Sequence, residues 1–137
     1  MQIQFKHIQF TAVESNINSL DKNITSDLET TLNVENSFDV NNSNEFNVNF
    51  YIKLENPEKN FFLKLKAIAQ FSTKEIITDE FKKSPFIEIN APAIAFPYIR
   101  SFISNFTLNM GYNPVLLPMF NFVELSKIKQ KKTIPNQ

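Results

Sequence analysis

The 137-residue sequence contains no cysteine, no tryptophan, one glycine, one histidine and one arginine. Without cysteine there is no disulfide framework, thiolate metal site or cysteine nucleophile. A lone histidine, His7, cannot build a multi-histidine metal site, and solvent-facing strand is its expected setting. One glycine, Gly111, is too few for a phosphate-cradling loop or a dinucleotide fingerprint. Most enzyme classes are closed by these absences, and neither a metal nor a cofactor is expected. No stretch approaches the ~18–20 continuous apolar residues of a membrane span, so membrane insertion is not expected either. Met1-Gln2-Ile3-Gln4 lacks the basic and apolar regions of a secretory signal, which points to the cytoplasm.

What the chain does hold is phenylalanine, fifteen in all, and enough length for one domain with a real core. Lysine and arginine balance aspartate and glutamate at 14 each. The balance is uneven, because Lys127, Lys129, Lys131 and Lys132 close the chain with no acid after Glu124. A mildly acidic body with a lysine tail lacks the clustered basic face of a nucleic-acid binder. Glu75, Asp79 and Glu80 lie in a polar stretch, whereas acid–base catalysis needs a carboxyl in an apolar pocket. Tyr98 and Arg100 fall on different helix faces and form no pair. The chain reads as a binding protein and not as an enzyme.

Alternation dominates the first half. Phe46, Val48, Phe50, Ile52 and Leu54 share one parity, and Asn47, Asn49, Tyr51, Lys53 and Glu55 the other, as in a strand with one wet face. After the turn Asn56-Pro57-Glu58-Lys59-Asn60, Phe61 to Phe71 repeats the pattern, predicting an antiparallel hairpin. Leu28 to Val40 gives another strand. Ile3 and Phe5 on odd positions, then Ile8, Phe10 and Ala12 on even ones, predict a strand with a bulge near His7. Residues 1–78 are thus expected to form a four-stranded antiparallel meander, and 79–92 a long covered crossover. Ile99, Phe102, Ile103, Phe106 and Met110 then carry helical spacing through 93–110, with Pro97 in the first turn and Gly111 at the C′ position. A Pro-bounded loop follows over 111–121, a short helix over 122–130 and a basic tail over 131–137. The fold class is α+β, with the helices on one face of the sheet. Phe81, Phe86, Ile87, Ile89, Val115, Leu116, Leu117 and Met119 add more apolar material than one sheet face can cover. The surplus points to an oligomer interface, a groove for extended apolar polypeptide, or both.

Ile94-Ala95-Phe96-Pro97-Tyr98-Ile99-Arg100, then Ile103-Ser104, Gly111, Pro114, Leu116, Pro118 and Asn121-Phe122, resemble the SecB family. The shared features are the family's long-helix opening, its helix-ending glycine and its Pro-Leu…Pro…Asn-Phe loop; Ile99 stands where the family usually has alanine. The resemblance implies a bacterial cytosolic chaperone without ATPase activity. Such a chaperone is a homotetramer, a dimer of dimers, that holds unfolded preproteins for export and passes them to SecA. It places a client-binding groove at Phe81, Phe86, Ile87, Ile89, Val115, Leu116, Leu117 and Met119. It assigns the oligomer interface to Phe102, Ile103 and Phe106. It suggests Glu14, Asp27, Glu29 and Glu35 as an acidic, SecA-facing patch on the wet sheet face. Alternatives within the same fold are a chaperone dedicated to one client, such as the antitoxin of a toxin–antitoxin module, and a structural subunit without holdase activity.

Overall fold

A computed structural model describes residues 2–16 and 21–133, with side chains through Lys127. Four strands form one antiparallel sheet: β1 (Ile3–Ser15), β2 (Glu29–Asp39), β3 (Asn42–Asn56) and β4 (Phe61–Thr73). The β3–β4 hairpin is as the alternation predicts, with Phe46 opposite Phe71 and Leu54 opposite Leu63. Its turn is a short 3-10 segment, Pro57–Lys59, capped by Asn56, whose Oδ1 accepts from Lys59 N at 3.3 Å. Asn60 closes it in the left-handed conformation that asparagine tolerates.

The strand order is β1-β4-β3-β2, which corrects the expected simple meander. Only β2, β3 and β4 follow one another; β1 lies beside β4 at the far edge. A hairpin needs a short loop, and thirteen residues separate Ser15 from Glu29. Part of that connection is pinned under the end of the sheet. Ile24 is fully buried, and Asn56 Nδ2 donates to the carbonyls of Ile24 and Ser26, each at 2.8 Å.

The bulge near His7 is present, since pairing jumps from Phe5↔Phe71 to His7↔Gln70 and leaves Lys6 extra. A second jump between Phe10 and Ala12 restores the original parity. Val13 therefore turns inward and Ala12 outward, against the expectation for Ala12.

Residues 79–92 are helical where an irregular crossover was expected. Thr78 caps α1 (Asp79–Lys82), its Oγ1 accepting from Phe81 N at 3.1 Å. A π-helical turn (Phe86–Asn90) then runs directly into α2 (Ala91–Asn109). Pro92, with no N–H to donate, sits where one hydrogen-bond pattern gives way to the other. Because the helical path begins early, Pro97 lies inside α2 and not in its first turn. Ala93 and Pro97 are both exposed, so the carbonyl that Pro97 leaves without a donor meets water.

The C-terminal helix α3 spans Phe122–Thr133, three residues beyond the expected end, and so takes in the backbone of Lys131 and Lys132. The remainder of the expected basic tail lies outside the described residues. Inward residues of β3 and β4 form the core with Ala91, Ala95, Phe96, Ile99 and Ile103 of α2.

Candidate functional site

The loop between α2 and α3 is built from its helix outward. Gly111 adopts φ 98°, with its N–H bonded to the Leu108 carbonyl at 3.0 Å and the next N–H, of Tyr112, to Thr107 at 3.1 Å. This is a Schellman ending, which a residue without Cβ satisfies at no steric cost. Space around Gly111 is open, so the backbone angle alone calls for glycine. Two residues of α2 then grip the loop. Thr107 Oγ1 accepts from Val115 N at 3.0 Å, and Arg100 Nε donates to the Leu117 carbonyl at 2.9 Å. Between these grips Val115 and Leu117 are buried and Leu116 is 76% exposed; beyond them Met119 is 77% exposed. Arg100 Nη1 also lies 3.2 Å from Met119 Sδ.

The crossover residues divide in the same way. Phe81 and Ile87 are buried, Ile89 is half-buried and Phe86 is 39% exposed, its ring stacked on Phe81 with centroids 5.9 Å apart. Of the eight residues expected to line a groove, Phe81, Ile87, Val115 and Leu117 thus root their segments in the core. Phe86, Leu116 and Met119, with part of Ile89, remain exposed. Between β2 and α3, Val34, Asn36, Phe122, Leu125 and Ser126 enclose a void of only about 10 Å³. Asn36 Oδ1 is buried there without a donor.

Phe102, Ile103 and Phe106 serve the chain's own packing. Ile103 is fully buried, and Phe102 stacks on Phe10 of β1 at 4.1 Å and on Phe106 at 5.7 Å. An adjoining stripe of α2 exposes Ile94 and Leu108, with Ser101 and Asn105 between them, and takes in Tyr98, whose half-exposed ring stacks on Phe5 of β1 with centroids 4.8 Å apart. Sequence reasoning missed this stripe, although a second apolar set out of phase with Ile99-Phe102-Ile103-Phe106 was its available signal.

The four acids expected to form one patch are dispersed. Glu14 lies on edge strand β1, Glu29 and Glu35 on the opposite edge strand β2, and Asp27 in the connection before it. Between the two edges, on the same outer face, stand Lys53, Lys64 and Lys66. A concavity of about 410 Å³ opens there. Among the described residues, no three histidine or acidic side chains converge as a metal site would require, and no helix is long and apolar enough to cross a membrane.

The family model described as preprotein translocase subunit SecB matches residues 1–133. An uncharacterized protein of Methanocaldococcus jannaschii is 31% identical over 136 residues, covering 93% of this chain and 84% of that one. The protein-export protein SecB of Jannaschia sp. is 29% identical over 89 residues, covering 60% of this chain and 51% of that protein. SecB 1 of Gluconobacter oxydans is 35% identical over 51 residues, 37% of this chain and 30% of its own length. The chain thus aligns with about half and about a third of those two export proteins. Among solved structures, the Mycobacterium tuberculosis SecB-like chaperone Rv1957, in complex with a peptide from the HigA1 antitoxin, has the same fold. Its TM-score is 0.67 at 13% identity, over 87% of this chain and 90% of that one.

Proposed function

The chain belongs to the SecB family, which is not an enzyme family, and on that premise we propose that it is a cytoplasmic holdase. It binds unfolded polypeptide through apolar side chains and withholds it from folding until export. The observation that carries this reading is the loop whose Leu116 and Met119 point outward while Thr107 and Arg100 hold its backbone. Exposed apolar groups on a braced segment lose little freedom when a client covers them, so more of the burial energy appears as affinity. Phe86, held against buried Phe81, offers a second such contact. Preference for the unfolded chain is then mass action: a ligand that binds only the unfolded form lowers the folded fraction as its concentration exceeds the dissociation constant.

Two further elements belong to the same proposal. Exposed Ile94 and Leu108 of α2, with the outer side of the Tyr98 ring that rests on Phe5, supply an apolar surface for self-association, completing a homotetramer. SecA receives the client. The solved relative that holds an antitoxin peptide favours a second reading, a chaperone serving one dedicated client.

Titration calorimetry against a reduced, urea-diluted preprotein, with its native form as control, tests the proposal. Binding of the unfolded form alone, with a negative heat-capacity change, is the expected result. Each of Leu116→Ser and Met119→Ser removes about 1.5 kcal/mol of apolar contact, or about tenfold in affinity, with the assembly intact. Binding to one client and to no other unfolded chain selects the second reading. Unchanged affinity in both variants sinks the groove, and loss of assembly in place of binding points to a structural subunit.

A further inference from the structure

The outer face of the sheet carries a second surface that owes nothing to the apolar loop. In register across the four strands, one row reads Thr31, Lys53, Lys64, Glu14 and the next reads Asn33, Tyr51, Lys66, Ala12. Lys53 therefore stands directly opposite Lys64, a like-charge pair whose Cβ atoms lie about 5 Å apart and which costs stability. Lys66 follows on the same face, about 7 Å farther along β4.

Compensation is partial. Glu55 takes Lys53 at 3.0 Å, but among the described residues neither Lys64 nor Lys66 makes an ion pair, although Glu14 is the β1 partner of Lys64. Their ammonium groups lie over aromatic rings instead, Lys66 Nζ at 5.4 Å from the Tyr51 centroid and Lys64 Nζ at 5.7 Å from that of Phe62. These lysines line the concavity of about 410 Å³, together with Lys53, Tyr51, Thr31, Asn33 and one acid, Glu14. The fold thus gathers three lysines in a concave, aromatic-floored site whose lining carries one acid, Glu14, which makes no ion pair with any of them.

We propose that this outer face docks an extended acidic segment of a partner polypeptide. Side chains on one face of an extended chain repeat every ~7 Å, the spacing of Lys64 and Lys66, so alternate aspartates or glutamates meet both lysines. Charge argues against a nucleic acid. Glu29, Glu35 and Asp39 line the β2 margin of the same face, and a long polyanion running past the lysines meets them. A short acidic segment stays inside the basic centre.

The test is a fluorescence-anisotropy titration of the full chain with a labelled short polyglutamate peptide, beside single-stranded oligothymidylate of equal charge. Polyglutamate has no apolar side chain, so Leu116→Ser with Met119→Ser leaves its binding unchanged and separates this face from the client loop. Polyglutamate is expected to bind at low salt and to weaken toward ~0.15 M, where screening lengths fall to about 8 Å. Lys64→Gln with Lys66→Gln is expected to weaken binding at least tenfold. Its melting temperature stays at or above that of the parent, because a like-charge pair has been removed. Lys64→Glu with Lys66→Glu abolishes binding. The proposal is overturned if polyglutamate fails to bind at low salt, if the glutamine variant binds it as tightly as the parent, or if the oligonucleotide binds more tightly through the same two lysines.

Discussion

Val115 and Thr107 join the loop to the long helix through one hydroxyl. Thr107 Oγ1 accepts the Val115 N–H at 3.0 Å while donating to the Ile103 carbonyl at 2.8 Å. All of this is buried, so the hydroxyl cannot be replaced by water. Thr107→Val keeps the shape and leaves the Val115 N–H without an acceptor, a loss of about 1–3 kcal/mol in urea unfolding. Thr107→Ser retains the hydroxyl and is expected to lose less. Equal stability of the valine variant and the parent would show that the bond contributes nothing.

Arg100 is the other grip, and its planar guanidinium reaches the Leu117 carbonyl and Met119 sulfur together. Lysine cannot reproduce that fork. Arg100→Lys is expected to lose about 1 kcal/mol of stability, since the group is only partly buried. Amide exchange over Leu116 to Met119 should quicken more than elsewhere in the chain. Uniform acceleration across all elements would assign Arg100 a global role instead.

Asn56 is almost fully buried and donates to two carbonyls of the β1–β2 connection while capping the β3–β4 turn. Asn56→Ala strands both carbonyls and costs about 3 kcal/mol. Asn56→Asp presents a carboxylate to two carbonyl oxygens, which holds that carboxyl's folded pKa above its unfolded value. The stability it retains is present below the usual aspartate range and falls as pH rises through the raised value. Melting temperatures from acid to neutral pH should therefore converge on the parent toward acid; parallel curves would refute this.

Asp21 and Lys59 tie the same connection to the hairpin turn at the surface. Lys59 and, less strongly, the Asn23 N–H hold the Asp21 carboxyl below its usual 3.8, and Asp21 in turn raises Lys59 above 10.5. The depressed acid contributes above about pH 4 and loses its contribution as pH falls through the lowered value. The raised base contributes below 10.5 and loses its contribution above it. The stability difference between the parent and Asp21→Asn should thus be constant between about pH 5 and 9, narrowing in acid below that window and in base above it. A slope across neutrality would assign the difference to another group.

The strongly periodic elements were legible in the sequence. Phe46 to Leu54 and Phe61 to Phe71 alternate without interruption, so both their faces and their pairing followed from position. Gly111 could be placed because one glycine at a helix end has one evident use. Strand order was not legible, because alternation fixes which face a residue presents and says nothing about which neighbour it meets; the length of the β1–β2 connection was the unused signal. In 79–92, Pro85 and Pro92 mask a helical path by removing donors that a regular helix would use. The site suffered most from that gap. Val115 and Leu116 are equally apolar, and only the anchors at Thr107 and Arg100, seventeen residues before Leu117, decide which faces water. Dispersal of Glu14, Glu29 and Glu35 likewise follows from the strand order alone.

The same strand order has a consequence for synthesis of the chain. Ile3 pairs with Thr73 and Ser15 with Leu63, so the earliest made of the four strands has its partner among residues made much later. At about 5–20 residues per second, β1 waits several seconds with an open edge while the β2–β3 hairpin can already close. Once β1 has paired with β4, its two bulges interrupt the flat edge that it leaves open to a neighbouring chain. Pairing of the first-made strand with the last-made one is a non-local closure, of the kind that belongs to the slow range of single-domain folding.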